Sequence, residues 1–140
     1  MFVIQQTIDI SISCHRLFQL LTSSDDIPRY FPILAVESPW TVGKALNFHG
    51  EINGEPFTDY GTIEVLQAPT HFQYRYWSTN HGTVRAPENH LTISYRLEAT
   101  ATGTTLHLEH RNICSETLYE QMNTQGWPYL LNALKAFAER

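Results

Sequence analysis

Asp59 and His110 are the two titratable residues that the sequence places on the inward side of predicted strands. A buried carboxylate or imidazole is costly unless it is paired. The two side chains could pair with each other, with tyrosine hydroxyls or with a ligand, and a perturbed acid–base pair in a cleft would be a catalytic candidate. The alternative is a satisfied histidine near the rim and an aspartate open to water at a strand end. No catalytic residue is therefore assigned.

The seven histidines of the chain do not form a metal-binding pattern. None belongs to a His-x-x-x-His helix motif or pairs with spaced cysteines, and His107 and His110 fall on opposite faces of one predicted strand. Gly-x-Gly-x-x-Gly, Walker and Gly-x-Ser-x-Gly motifs are also absent. We therefore expect no metal and no cofactor.

Charge and hydropathy narrow the range of partners. Nine Lys and Arg against fourteen Asp and Glu leave a net charge of −5, whereas a nucleic-acid-binding protein needs a basic footprint. No apolar run approaches the ~20 residues that span a bilayer. We expect neither a nucleic-acid partner nor membrane insertion.

The N-terminus and the cysteines predict a cytoplasmic protein. The first residues lack the basic region and the small-residue cleavage site of a secretory signal. Cys14 and Cys114 are too few for a disulfide framework, so we interpret them as free thiols in a reducing compartment. The length of 140 residues suits one domain.

Alternating apolar residues predict that most of the chain forms an antiparallel sheet. Phe2 to Ile12 alternates as a strand, and the chain is strand-like from about Leu34 to Arg111, with Asn53-Gly54 as a favoured type I′ hairpin turn. A polar loop is expected from Thr79 to Asn89. One strand parity is apolar and aromatic and the other is polar, which is typical of a sheet that is covered on one face and wet on the other.

Helices are predicted before and after the strand-rich segment of the chain. Ser13 can cap a first helix, and Asp25 to Pro28 can open a second short helical turn that Pro32 closes. The segment from Ser115 to Arg140 is the only one long enough to cover the apolar face of the sheet. At 100° per residue its inward face consists of Tyr119, Met122, Gly126, Leu130, Ala133 and Phe137, flanked by Leu134 and Trp127.

Pro128 lies inside this last predicted helix. A proline there removes one helical hydrogen bond and clashes with the Thr124 carbonyl. We expect a kink that curves the helix around the sheet, with two shorter helices as the alternative.

Four short motifs follow this order of elements. They are Tyr30-Phe31 after the first helix; Gly61, Ile63, Val65, Pro69, Phe72, Tyr74 and Tyr76; Thr104, Leu106, Leu108 and His110; and Gly126-Trp127. Together they resemble the START-like, or SRPBCC, superfamily, and most closely its branch named for the activators of the heat-shock chaperone ATPase. The resemblance implies an α+β helix-grip fold. In that fold a curved antiparallel sheet of six to seven strands wraps around a long C-terminal helix, with two short helices after the first strand, in a single domain 1–140.

The resemblance also implies a cavity between the sheet and the last helix, which relatives use to hold lipids, sterols, polyketides or other hydrophobic molecules. The candidate ligand-binding residues are those of the predicted inward faces: Phe48, Phe57, Asp59, Tyr74, Tyr76, Tyr95, His110, Tyr119, Met122, Trp127 and Leu130. Aromatic rings with hydroxyl tips suit a flat, partly polar ligand, although the same side chains could simply fill a core. The loop Thr79 to Asn89 and the Tyr30-Phe31 turn would form the mouth.

Three functions remain open at this point. The first is binding of a small hydrophobic or aromatic molecule, lipid-like or polyketide-like, and we favour it over catalysis. The second is an enzyme of the polyketide cyclase or dehydratase type that uses Asp59 and His110 as acid and base. The third is a protein–protein adaptor resembling a chaperone activator. Trp77, on the outer parity, could anchor a partner or a second subunit, which leaves a homodimer open.

Overall fold

Seven antiparallel strands form one curved sheet in the order β1-β7-β6-β5-β4-β3-β2. The structure is a computed structural model that describes residues 1–140. The strands are β1 (Phe2–Ile10), β2 (Ala35–Glu37), β3 (Ala45–Ile52), β4 (Glu55–Gln67), β5 (His71–Ser78), β6 (Leu91–Ala99) and β7 (Thr104–Ile113). The helices are α1 (Cys14–Leu21), α2 (Ile27–Tyr30), α3 (Glu116–Gln121) and α4 (Trp127–Ala138), and a short 3₁₀ turn spans Pro87–Asn89. The predicted α+β helix-grip fold is confirmed.

Strand alternation places the apolar side chains on the concave face of the sheet. In β6, Leu91, Ile93, Tyr95 and Leu97 are all buried beneath the helices. Asn53 and Gly54 join β3 to β4 with positive φ angles of 53° and 83°, as a type I′ turn requires. Local pattern and turn chemistry therefore explain the register of this hairpin.

The outer face is less wet than the sequence predicts. His71 and Ser94 are buried there, and the His71 Nε2 lies 2.9 Å from the Ser94 hydroxyl. The two polar groups satisfy each other, which allows burial on this face. Burial, followed by the nearby Arg96, lowers the pKa of His71.

The first two helices form as predicted. The Ser13 hydroxyl accepts a hydrogen bond from the Arg16 amide and caps α1, and Pro28 lies in the first turn of α2. β1 ends at Ile10 rather than at Ile12, because the chain turns toward α1, where the Ile12 carbonyl accepts from the Thr104 hydroxyl.

The C-terminal helix is one long rod with a π-helical segment, Met122–Gly126, between α3 and α4. The Trp127 amide donates to the Met122 carbonyl five residues earlier, and Pro128 then occupies the first turn of α4, where its missing N–H costs little. The irregularity expected at Pro128 is therefore a widened turn just before it.

The widened turn rotates the buried face of α4 away from its predicted position. Trp127, Leu131 and Leu134 are the buried residues of α4, whereas Leu130, Ala133 and Phe137 are only partly buried. The prediction applied 100° per residue throughout and so missed this shift. None of the helices has the length and hydrophobicity that crossing a membrane requires.

Candidate functional site

A cavity of about 310 Å³ lies between the concave face of the sheet and the C-terminal helix. Strands β3 to β7 supply one wall, and the opposite wall comes from the C-terminal helix and the chain after α2. Thirteen of its nineteen lining residues are hydrophobic. Such a mostly apolar hollow with a few convergent polar groups is typical of a small-molecule site.

All but one of the candidate ligand-binding residues line this cavity. They are Phe48, Phe57, Asp59, Tyr74, Tyr76, Tyr95, His110, Met122, Trp127 and Leu130. Tyr119 does not line it; its ring stacks on Phe2 at a centroid distance of 5.0 Å, over the edge strand β1. The preceding residue, Leu118, takes its place, because α3 sits toward the β1 edge of the sheet.

The cavity also contains residues that were not among the candidates. They are Phe31, Pro32, Ile33, Glu51, Ile52, Asn80, His81, Ile93 and Leu118. Phe31 and the loop after β5 were expected at the mouth, but the inward position of Asn80 and His81 was not. Ile52 and Ile93 follow the same strand parity as Phe48 and Tyr95, so alternation could have found them.

Aromatic rings from neighbouring strands form the sheet wall of the cavity. The ring centroids of Phe48 and Tyr74 are 5.5 Å apart, and those of Tyr74 and Tyr76 are 6.1 Å apart. These are favourable spacings for aromatic pairs. Burial raises the pKa of Tyr74, Tyr76 and Tyr95 above the ordinary value, so their hydroxyls stay protonated.

His110 is held between Trp127 and Tyr76. The Trp127 indole N–H donates to His110 Nδ1 at 3.0 Å, and His110 Nε2 lies 3.1 Å from the Tyr76 hydroxyl. An indole N–H can only donate, so Nδ1 accepts and the neutral ring carries its proton on Nε2. His110 therefore donates to the Tyr76 oxygen, and the Tyr76 hydroxyl proton is free to point into the cavity.

The same arrangement keeps His110 uncharged. Its side chain is 1% exposed, and burial, with a further contribution from His81, lowers its pKa to about 3. Both ring nitrogens are engaged within the protein. His110 is thus a satisfied but fully buried histidine, not one at the rim.

Asp59 lies in the middle of β4, directly opposite Ser78 of β5. Its Oδ1 atom is buried and has no hydrogen-bond partner. Burial raises the pKa of Asp59 to about 6, while the Ser78 hydroxyl acts in the opposite direction. Asp59 and His110 share no hydrogen bond, so neither the direct pairing nor the water-exposed strand end considered for Asp59 is what the structure has.

His81 supplies the second unpaired polar atom of the cavity. Its Nδ1 is buried without a partner, and burial lowers its pKa. Its ring lies 5.9 Å from that of Tyr76, whose own pKa is raised further by Asp59. Asp59, His81 and the free Tyr76 proton therefore form one polar end of an otherwise apolar cavity; we call these three residues the polar end.

The family model for "Activator of Hsp90 ATPase homolog 1-like protein" matches residues 11–139. This match extends over nearly the whole chain. The chain belongs to the Activator of Hsp90 ATPase homolog 1-like family. The suspected superfamily and branch are thereby confirmed, and comparison with curated protein sequences finds no significant match.

Solved structures with the fold of this family superpose well on the chain. ChR145 from Cytophaga hutchinsonii is 25% identical, with a TM-score of 0.83 over 98% of this chain and 93% of its own. CV1439 from Chromobacterium violaceum is 16% identical, with a TM-score of 0.84 over 100% and 99%. The Aha1 dimer from Colwellia psychrerythraea is 21% identical, with a TM-score of 0.77 over 99% and 97%.

The cavity of this family member offers no metal-binding cluster. No group of three or more His, Cys, Asp or Glu side chains in the chain is arranged to hold a metal ion. Its polar end is suited instead to hydrogen bonding or to charge pairing with a bound molecule.

Proposed function

We propose that this protein binds a small, largely apolar molecule with an aromatic or similarly flat skeleton in the cavity beneath the C-terminal helix. The observation that carries the proposal is the pair of buried, unpartnered atoms, Asp59 Oδ1 and His81 Nδ1, inside an aromatic cavity of about 310 Å³. Unpaired buried polar atoms destabilise a fold, so their presence in a hollow favours a ligand that completes their hydrogen bonds.

The apolar surface area that a ligand can bury in the cavity sets the expected affinity. Burying roughly 300 Å² of apolar ligand surface would contribute about 7 kcal/mol before entropy costs. This predicts micromolar binding at best. A lipid-like or a polyketide-like skeleton would both supply such a surface.

Fluorescence titration with N-phenyl-1-naphthylamine, an uncharged apolar probe, tests this proposal. Enhanced emission with a micromolar dissociation constant is expected. Leu130→Trp, which fills the cavity from α4, should weaken binding at least tenfold. Tyr129→Trp is the matched control, because Tyr129 is the next residue on the same helix and is 66% exposed.

Circular dichroism and urea unfolding of both variants show whether each is folded. Equal binding by the folded Leu130→Trp variant, the Tyr129→Trp variant and the native protein would overturn the proposal. Native mass spectrometry of the freshly purified protein would in addition identify a copurified ligand.

A cyclase or dehydratase activity is the second candidate, and the raised pKa of Asp59 is the observation that favours it. Asp59 would then be the acid–base group. His110 would act only through Tyr76, since its own nitrogens are occupied. Turnover that survives Asp59→Asn unchanged would exclude this mechanism.

The adaptor function and a homodimer are proposals that draw on relatives. The family is named for activators of the Hsp90 ATPase, and the Aha1 structure from Colwellia psychrerythraea is described as a dimer. A chaperone ATPase assay and light scattering, respectively, test them. No stimulation of the ATPase and a monomer mass would contradict each.

A further inference from the structure

The charge of the cavity lining is one-sided. Asp59 and Glu51 contribute carboxylates, and no Lys or Arg is among the lining residues. Both histidines of the lining are neutral, His110 because its Nδ1 accepts from Trp127 and His81 because burial disfavours its charged form. A ligand that carries a carboxylate or phosphate would therefore meet negative charge without any cation to offset it.

The walls of the cavity reinforce this preference. The faces of aromatic rings carry negative electrostatic potential and attract cations, most strongly when the site is desolvated. Aromatic side chains reach the cavity from the sheet and from the helix: Phe48, Phe57, Tyr74, Tyr76, Tyr95 and Trp127. A ligand with a positive charge is therefore favoured by these aromatic walls over a ligand with a negative charge.

Asp59 Oδ1 has no hydrogen-bond partner, and no cation lies beside the Asp59 carboxylate among the cavity-lining residues. Tyr76 and Ser78 of β5, Glu51 of β3, Asn80 and His81 of the following loop and His110 of β7 are polar or titratable groups on that side. None of them is a cation, and the Ser78 hydroxyl donates to Asn80. Burial destabilises the charged carboxylate, and a ligand that brings a cation would offset that cost.

We propose that the occupant of the cavity is an organic cation, an aromatic ring system with a protonated amine that pairs with the Asp59 carboxylate. This rests on the proposed function, since it names the ligand class of the same cavity. The aromatic walls surround the apolar skeleton, and the polar end receives the ammonium group. The unpaired Nδ1 of His81 can accept a further hydrogen bond from the ammonium group.

Three compounds with one skeleton test the charge preference: 2-naphthylmethylamine, 2-naphthol and 2-naphthoic acid, each titrated by calorimetry. The amine should bind at least tenfold more tightly than the alcohol at pH 7.5, and the acid should bind most weakly. Asp59→Asn should remove the preference for the amine. Asp25→Asn, at an exposed aspartate in the chain before α2, is the matched control and should keep the preference.

The pH profile separates an ion pair from a hydrogen bond. The pKa of Asp59, raised to about 6 by burial, predicts that affinity for the amine increases as pH rises through 6. Affinity for the alcohol should change by less than threefold over the same range. If Asp59 stayed protonated, affinity for the amine would weaken or stay constant as pH rises through 6. That result would contradict the proposal.

The outcomes separate failure of the organic-cation proposal from failure of the proposed function. Binding of all three compounds with equal affinity, or tightest binding of the acid, overturns the organic-cation proposal and leaves the proposed function standing. Absence of binding for all three and for N-phenyl-1-naphthylamine overturns both. Loss of amine preference in Asp25→Asn as well as in Asp59→Asn would show that general surface charge, not the cavity, attracts the amine.

Discussion

The indole of Trp127 determines the tautomer of His110, because an N–H donor on Nδ1 forces the ring proton onto Nε2. That proton then engages the Tyr76 oxygen and leaves the Tyr76 hydroxyl free to donate. The hydrogen bonds among these three side chains thus leave one hydroxyl donor for the cavity, while both ring nitrogens of His110 are paired. Asp59 is the opposite case, a buried carboxylate whose free oxygen is satisfied by nothing in the protein.

Trp127→Phe should destabilise the protein by about 1–3 kcal/mol, because it leaves the buried Nδ1 acceptor unpaired. Urea unfolding measures this cost, and nitrogen NMR of the His110 ring should show loss of the single Nε2–H tautomer. Trp77→Phe is the control, since its partly buried indole donates to Thr83 on the outer face. An unchanged tautomer in Trp127→Phe would contradict the hydrogen-bond assignment.

Asp59 should make the ligand-free protein less stable as pH rises from about 4 to 7. Its folded pKa of about 6 is above the unfolded value, so the native state binds more protons in this window and loses stability as they leave. Relative to the native protein, Asp59→Asn should gain about 2 kcal/mol between pH 4 and pH 7. Urea unfolding at both pH values measures it, and Asp25→Asn should show no such change.

At the scale of elements, two glycines of the sheet differ in what surrounds them. β4 has a glycine, Gly61, where both neighbouring strands come close: a Cβ there would lie 2.7 Å from the Leu46 carbonyl oxygen. In β3, by contrast, a Cβ on Gly50 would meet only the ring of Phe57. The π-helical segment shifts the residues that follow it, so that Trp127 faces inward and contacts His110.

Gly61→Ala should cost about 1–3 kcal/mol, because backbone on both neighbouring strands cannot move without breaking the ladder. Gly50→Ala should destabilise the protein less, since the Phe57 ring can rotate away. It should nevertheless weaken binding of N-phenyl-1-naphthylamine by narrowing the cavity. Urea unfolding and fluorescence titration on both variants check this. Equal destabilisation by the two substitutions would show that the backbone of the sheet, and not the Phe57 ring, disfavours a side chain at Gly50.

At the scale of the whole molecule, the cavity couples ligand binding to stability. A ligand that binds only the folded state stabilises it by mass action, by about 2.7 kcal/mol at a concentration one hundredfold above the dissociation constant. The unpaired atoms of the polar end are a cost that the ligand-free fold bears, and a ligand with a matching polar group relieves it.

The thermal unfolding midpoint should therefore rise with the logarithm of the N-phenyl-1-naphthylamine concentration once the probe exceeds its dissociation constant. Differential scanning calorimetry measures the midpoint. Leu130→Trp should shift the rise to at least tenfold higher probe concentration, and Tyr129→Trp should preserve it. A midpoint that does not depend on probe concentration would contradict binding to the folded state.

Local patterns in the sequence were sufficient to predict the sheet, the helix caps and the sheet wall of the cavity. Strand alternation placed Phe48, Tyr74, Tyr76 and Tyr95 on the inner face, because side chains alternate strictly along a strand. Helical periodicity was less reliable, because one widened turn at Met122–Gly126 rotated everything after it. Tyr119 was misplaced since the position of α3 over β1 depends on packing, which no period encodes.

By itself, the sequence determined the α+β architecture, the inward parity of Asp59 and His110, and the aromatic character of the space between sheet and helix, since these depend on neighbours within a few residues. Only the tertiary structure decided which groups meet there. The hydrogen bond from Trp127 to His110 and the entry of His81 into the cavity join residues from different elements. Burial, which sets the protonation of these groups, exists only once the chain has packed.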